Sequence, residues 1–182
     1  DLKALNDSRK DLTALAVEEA IAQVEETNLK NDRVLVVYLP NCHESLAGIV
    51  AGRVRERYYK PTFVLTKAED GIKGSGRSIE SYHMYEELNK CKELLTKFGG
   101  HKLAAGVSLE ERNLEAFRNM LNQKAALTED DLTPKVSIDM QMPLGYVSEE
   151  LIDQLELLEP FGKGNTKPVF VEKDLIVLNS RI

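Results

Sequence analysis

The run Arg33-Val34-Leu35-Val36-Val37-Tyr38-Leu39 constrains this chain more than any other segment. It is rich in β-branched residues, which fit a pleated strand. Polar and apolar residues do not alternate after Arg33, so neither side of the strand faces water. Pro40-Asn41 breaks the run. A strand buried on both sides needs helices above and below its sheet, so the chain is expected to be α/β.

The flanking patterns fill in that architecture. Residues 8–28 read as an amphipathic helix with Ser8 as N-cap and Leu12, Leu15, Ala16, Ile21 and Val24 inward. A helix is expected over 44–58, stopped by Pro61, and a strand over Thr62–Thr66. Ile72–Ile79 reads as a glycine-interrupted strand. A helix over 82–97 follows, with Tyr85, Leu88, Leu94 and Leu95 inward and Gly99 as its C-cap. Then come a small-residue strand at 104–109 and a helix at 110–126. The order is strand, helix, strand, strand, helix, strand, helix: a mixed sheet flanked by helices. An acidic linker, 127–135, ends in Pro134-Lys135. Beyond it a strand at 136–142, a helix at 148–157, and strands near 168–172 and 175–179 look like the start of a small β-barrel. The expected domains are a helix over 1–30, an α/β domain over 31–127, and a linker with a partial barrel over 128–182.

Two glycine-framed segments carry the chemistry: Gly74-Ser75-Gly76-Arg77-Ser78 and Phe98-Gly99-Gly100-His101-Lys102-Leu103-Ala104-Ala105-Gly106. Glycine permits positive φ and close backbone approach, and consecutive N–H groups in such turns bind anions. Arg adds a planar fork that matches phosphate. Gly-Ser-Gly alone also occurs in ordinary turns, and a histidine after Gly-Gly can simply fix a turn. Together the segments point to one phosphate site built from Ser75, Gly76, Arg77, Ser78, Gly99, Gly100 and His101. Arg53, beside Gly52, is a further candidate, whereas Arg55 and Arg57 read as a solvated helix face. His43 and His83 read as residues at helix starts.

Charge agrees with a local anion site. The chain of 182 residues has net charge −6, yet residues 30–105 hold 13 Lys and Arg against 9 Asp and Glu. Both glycine segments lie in that positive window. Cys42 and Cys91 have no CxxC partner and read as reduced thiols of a cytoplasmic protein. No run approaches 18 apolar residues, so no membrane partner is expected. The start, Asp1-Leu2-Lys3, is too polar for a signal peptide and lacks Met, as expected for a piece of a longer protein. Three His and no Asp-His-His cluster cannot build a two-metal phosphodiesterase centre.

The chain resembles the RecJ family of single-stranded-DNA-specific 5′→3′ exonucleases, within the DHH phosphoesterase superfamily. The residues that carry the resemblance run in order: Leu5-Asn6, Arg9-Lys10, His43-Glu44, Gly48-Ile49-Val50-Ala51-Gly52-Arg53, Tyr58-Tyr59-Lys60-Pro61, Gly74 to Ile79, Phe98 to His101, Ala104-Ala105-Gly106, and Leu158-Glu159-Pro160-Phe161-Gly162 with Gly164-Asn165 and Pro168-Val169-Phe170. The last group points to RecJ in particular. The resemblance implies a connecting helix, a DHH-associated substrate-binding domain and the start of an OB-fold domain. It implies an upstream DHH domain that holds Mn²⁺ or Mg²⁺, so this chain alone is expected to hold no metal and to be inactive. Its implied partners are single-stranded DNA, that DHH domain and DNA-repair proteins, in repair and recombination. By motif, Ser75 and Arg77 become phosphate contacts, His101 the contact near the reacting phosphate, and Arg53 a weaker backbone contact. Two other functions stay open: a phosphodiesterase for short oligonucleotides or cyclic dinucleotides, and a non-catalytic nucleic-acid clamp.

Overall fold

The computed structural model describes residues 2–162, 164–176, 178 and 179. It divides into two compact units, 1–134 and 135–182.

The first unit contains a five-stranded sheet in the order β1-β2-β3-β5-β4. Its strands are β1 (Leu35–Tyr38), β2 (Thr62–Ala68), β3 (Gly71–Arg77), β4 (Lys97–Gly100) and β5 (Ala104–Leu109). β1 and β2 are parallel, joined through helix α2 (Glu44–Tyr58), and every other pairing is antiparallel. Helices α1 (Leu2–Glu26) and α2 cover one face; α3 (Met84–Asn89) and α4 (Leu114–Lys124) cover the other. β1 explains why the opening run has no alternation. Leu35 and Val37 pack with Val50, Val54 and Val24 on the α1/α2 side, while Val34 and Val36 pack with Phe63, Leu88, Phe117 and Leu121 on the other.

β1 is an edge strand, and an open edge invites pairing with other chains. Two amide side chains cover it by imitating a neighbouring strand. Gln23 of α1 accepts from the Tyr38 N–H at 3.1 Å and donates to the Tyr38 carbonyl at 3.2 Å. Asn122 of α4 accepts from the N–H groups of Arg33 and Val34, each at 2.9 Å, and donates to the Val34 carbonyl at 2.9 Å.

Three expectations need correction. α1 begins at Leu2, so Ser8 is inside the helix and is no N-cap. Its buried stripe is Ala16, Ala20 and Val24, at four-residue spacing, while Leu12 and Leu15 are exposed. The helix over 82–97 stops at Asn89, a short 3₁₀ turn covers Lys92–Leu94, and Lys97–Gly100 is strand. Gly99 is therefore no C-cap. The outer edge of β5 needs donors and acceptors, and β4 supplies them from Lys97 to Gly100, so long-range pairing overrides local helix propensity. Tyr85 is consequently exposed, against Phe98, with ring centroids 5.9 Å apart. Helix α4 is also shorter than expected, with a 3₁₀ turn at Glu111–Asn113.

The second unit holds strands β6 (Met140–Gln141) and β7 (Phe170–Val171), paired in parallel, and helix α5 (Glu149–Glu156), capped by the Ser148 hydroxyl. No described residue of 135–182 is fully buried. The strands are shorter than the expected 136–142 and 168–172. The expected strand 175–179 includes Val177, which lies outside the described residues; Leu175, Ile176, Leu178 and Asn179 are not strand. The Leu158–Asn165 loop, in which Lys163 lies outside the described residues, is organised by Asn165. Its side-chain amide donates to the carbonyls of Leu158 and Pro160, and its backbone exchanges two hydrogen bonds with Gly162. The asparagine thus closes the loop, and Gly164 beside it adopts φ +89°.

Asn122→Ala removes the cover of the β1 edge and leaves two N–H groups and one carbonyl without their partner. The expected loss is about 1–3 kcal/mol, read as a lower midpoint in urea unfolding with an unchanged slope.

Candidate nucleic-acid interface

The sheet face beneath α2 is only half covered. α2 lies across β2 and β3, burying Thr62, Val64 and Thr66, but among the described residues of the first unit no helix covers the same face of β5 and β4, where Gly99 and Gly106 are exposed. Strand geometry sends alternate side chains to opposite faces. From β3, Gly74 and Gly76 turn toward the α3/α4 core. A Cβ on Gly76 would stand 2.5 Å from the Met84 sulfur and 2.7 Å from the Phe63 ring. Lys73, Ser75 and Arg77 turn to the open face.

Residues on that face line up across the strands. Arg77 is in register with Ala104. Ser75 is in register with Gly106, which is in register with Gly99. Lys73 is in register with Ser108, which is in register with Lys97. The middle row is bare backbone apart from one hydroxyl, because a Cβ at Gly99 would meet no atom within 4 Å and one at Gly106 only a carbonyl at 4.0 Å. A cleft of about 510 Å³ lies over this floor, bounded by Glu44 and Ser45 at the start of α2.

Helix α2 also meets the β3 side chains of this face at Gly48. A Cβ there would lie 2.7 Å from the Arg77 Nη2 and 3.6 Å from the Ser75 Oγ. The missing side chain thus lets the guanidinium lie against the helix and brings both polar ends to one spot. Arg77 Nη1 donates to the Gly76 carbonyl at 2.8 Å, which holds the group in place. At that end of the sheet Arg77 shares a smaller cavity with Arg55, Tyr59, Ser78 and Leu103. Arg55 is half-buried, its Nε buried with no hydrogen-bond partner, and its nearest carboxylate is Glu56 at 3.5 Å. Glu80 also lines this cavity but is paired with Lys102 at 2.8 Å, so the two guanidinium groups there outnumber its one carboxylate and favour an anion.

His101 lies in the hairpin between β4 and β5, at the same end as Arg77. Its N–H donates to the Ala104 carbonyl at 2.8 Å, and Gly100 adopts φ +151° to make the turn. The ring Nδ1 accepts from the Leu103 N–H at 3.3 Å, which leaves the proton of the neutral ring on Nε2 as a donor.

The expected site residues therefore separate. Ser75, Arg77, Gly99 and His101 share the open face or its end. Gly76 serves the core. Gly100 shapes the hairpin: a Cβ there would stand 2.3 Å from the Ala104 carbonyl oxygen. The Ser78 hydroxyl is buried and donates to the Tyr82 carbonyl at 2.7 Å, because it closes the turn after β3. Arg53 is on another side of α2, paired with Glu56 at 3.3 Å and beside Arg9 and Thr13 of α1. Gly48 and Arg55, missed or set aside in the sequence, are the α2 residues that meet Arg77. The signal was there: 48 and 55 are seven apart, two helical turns, on one face. His43 caps α2 by accepting from the Ser45 N–H, and His83 caps α3. Burial raises the thiol of Cys42, and pushes that of Cys91 up to about 11, so neither is poised as a nucleophile. Among the described residues no three His, Cys, Asp or Glu side chains converge to hold a metal ion, and no helix is long and apolar enough to cross a membrane.

Comparison with known proteins identifies the family and the fold. Residues 31–127 match the DHHA1 domain and residues 138–182 the RecJ OB domain. The single-stranded-DNA-specific exonuclease RecJ of Bacillus subtilis is 35% identical over 181 residues, covering 97% of this chain and 23% of that protein. RecJ of Escherichia coli is 32% identical over 180 residues, covering 93% of this chain and 31% of that protein. The chain thus spans about a quarter to a third of these relatives. The crystal structure of RecJ in complex with Mg²⁺ from Thermus thermophilus superposes with a TM-score of 0.81 at 29% identity, over 93% of this chain and 26% of that one. A second structure of that protein, with Mn²⁺, gives the same TM-score.

Gly48→Ala separates function from stability. Alanine favours a helix interior by about 1 kcal/mol over glycine, so the melting temperature is expected to hold or rise. The added methyl displaces the Arg77 guanidinium, and single-stranded DNA binding by the full-length protein is expected to weaken at least several-fold in fluorescence anisotropy.

Proposed function

The chain belongs to the DHHA1 domain family and is RecJ-like along its length, and on that premise we propose that it is the substrate-holding part of a metal-dependent, single-stranded-DNA-specific 5′→3′ exonuclease. In this reading residues 1–30 are a connecting helix, 31–127 grip the substrate, and 128–182 form a linker and the start of the OB-fold domain. The observation that carries the proposal is the open sheet face, where a hydroxyl and bare glycine backbone lie in register and a cation stands in the adjacent row. A phosphodiester is the ligand that such a surface suits. It is anionic, presents several acceptor oxygens, and tolerates a floor without side chains.

Each residue then has a task. Arg77 supplies two N–H donors to one phosphate, with Arg55 adding charge beside it. Ser75 donates its hydroxyl. His101 donates from Nε2 to a non-bridging oxygen of the reacting phosphate, where negative charge grows in the transition state. Mn²⁺ or Mg²⁺, supplied by an upstream DHH domain, would activate water and neutralise phosphate charge. The chain alone is accordingly inactive. The biological setting that fits is repair and recombination in the cytoplasm, with DNA-repair proteins as further partners.

Arg77→Ala in the full-length enzyme is expected to cost on the order of 1.5–3 kcal/mol of DNA binding. Arg53→Ala, on the far side of α2 and paired with Glu56, is expected to change it by less than about 0.5 kcal/mol. Equal losses in kcat/KM for the two variants would reject the site. His101→Ala is expected to lower the single-turnover rate on saturating single-stranded DNA at least tenfold while melting stays near normal. A lower melting temperature with unchanged turnover per folded molecule would make the histidine a turn residue only.

A further inference from the structure

The row farthest from Arg77 has a composition that the phosphate site just described does not use. Lys73 of β3 and Lys97 of β4 flank Ser108 of β5 in direct register, on the same open face. Neighbouring strands are about 4.8 Å apart, so the two lysine positions stand about 10 Å from each other with the serine midway. Both lysines are exposed and border the cleft with Ser75 and Gly99. Lys73 has one carboxylate partner, Glu44, at the long distance of 3.8 Å. Two ammonium groups held either side of a hydroxyl, above a sheet that offers no bulk, make a seat for one more anion.

The spacing along the strands says which anion. Successive rows on one face are two residues apart, about 6.7 Å. Arg77, Ser75 and Lys73 therefore mark three positions separated by two steps of that length along β3. Each step is close to the reach of one nucleotide in an extended single strand. We propose that Lys73 and Lys97 straddle a phosphate two nucleotides along the strand from the one held by Arg77. The open face, from the cavity at Arg77 to the cleft at the lysine row, thus reads three successive phosphates and favours strands long enough to reach the lysines. This inference rests on the phosphate-holding role proposed for Arg77.

Binding and turnover of the full-length protein are measured for Lys73→Ala/Lys97→Ala, with a dinucleotide and a ten-nucleotide strand. The double variant is expected to bind the longer strand about tenfold more weakly, and to leave the dinucleotide unchanged. The slope of log affinity against log salt for the longer strand is expected to become shallower by about 1.4, the contribution of two phosphate-neutralising charges on single strands. Lys73→Arg/Lys97→Arg is expected to restore most of the loss. An equal effect on both lengths, or none on either, overturns the proposal. Arg77→Ala is run alongside. If it weakens both lengths while the lysine variant weakens neither, the lysine row fails and the phosphate site stands. If Arg77→Ala weakens neither, the underlying reading fails.

Discussion

Arg77 can lie against α2 only because residue 48 has no side chain. A methyl at that point would stand 2.7 Å from Nη2, closer than real Cβ atoms come to a nitrogen. That one close approach fixes where the cation sits, how near it comes to Ser75, and which side of α2 forms the wall of the cleft. The rest of the open face depends on it. Were the guanidinium driven outward, the end of the face nearest Ser75 would lose its cation, and the remaining charge would lie with Lys73 and Lys97 at the far row.

A single strand, β3, does two jobs by alternation. Its glycines at 74 and 76 face inward, where Met84, Phe63 and Leu65 leave no room for a Cβ. Its Lys73, Ser75 and Arg77 face the open side, the first two lining the cleft and Arg77 the smaller cavity beside it. The Gly-Ser-Gly-Arg pattern is therefore a packing requirement and an open polar face interleaved at period two. The glycines of β4 and β5 differ in purpose from those of β3. Gly99 and Gly106 are open on the cleft side, and their value is the absence of anything above the backbone.

Much of this was legible in the chain, and for physical reasons. The unbroken run at 34–39 demanded a strand covered on both sides, and β1 has Val36 against one core and Val37 against the other. α2 and β5 have the expected bounds because local propensity and long-range packing agree there. They disagree at 90–100. Lys90 to Leu95 would suit a helix, yet β5 needs an edge partner, and only the pairing partner far along the chain reveals that. The site was half visible for the same reason. Ser75, Arg77 and His101 stand out by their glycine neighbours. Gly48, Arg55, Lys73 and Lys97 carry no local mark: the register of β3, β5 and β4 brings the two lysines to the cleft, and the face of α2 brings Gly48 and Arg55 beside Arg77. Ser78 sits in a binding-like motif, but its hydroxyl is spent on Tyr82. Arg53 sits beside a glycine, but on another side of the helix from Gly48 and Arg77.

The central claim is that nucleic-acid phosphates run along the uncovered face of β3, β5 and β4. Photo-crosslinking tests it most directly. The full-length protein is mixed with a single strand carrying 4-thiothymidine, divalent metal is chelated to prevent cleavage, and crosslinked peptides are mapped by mass spectrometry. The account predicts crosslinks within 71–81 and 97–109, lost on competition with unlabelled single strand. Crosslinks that avoid both segments and fall on α3 and α4, across the sheet, would contradict it.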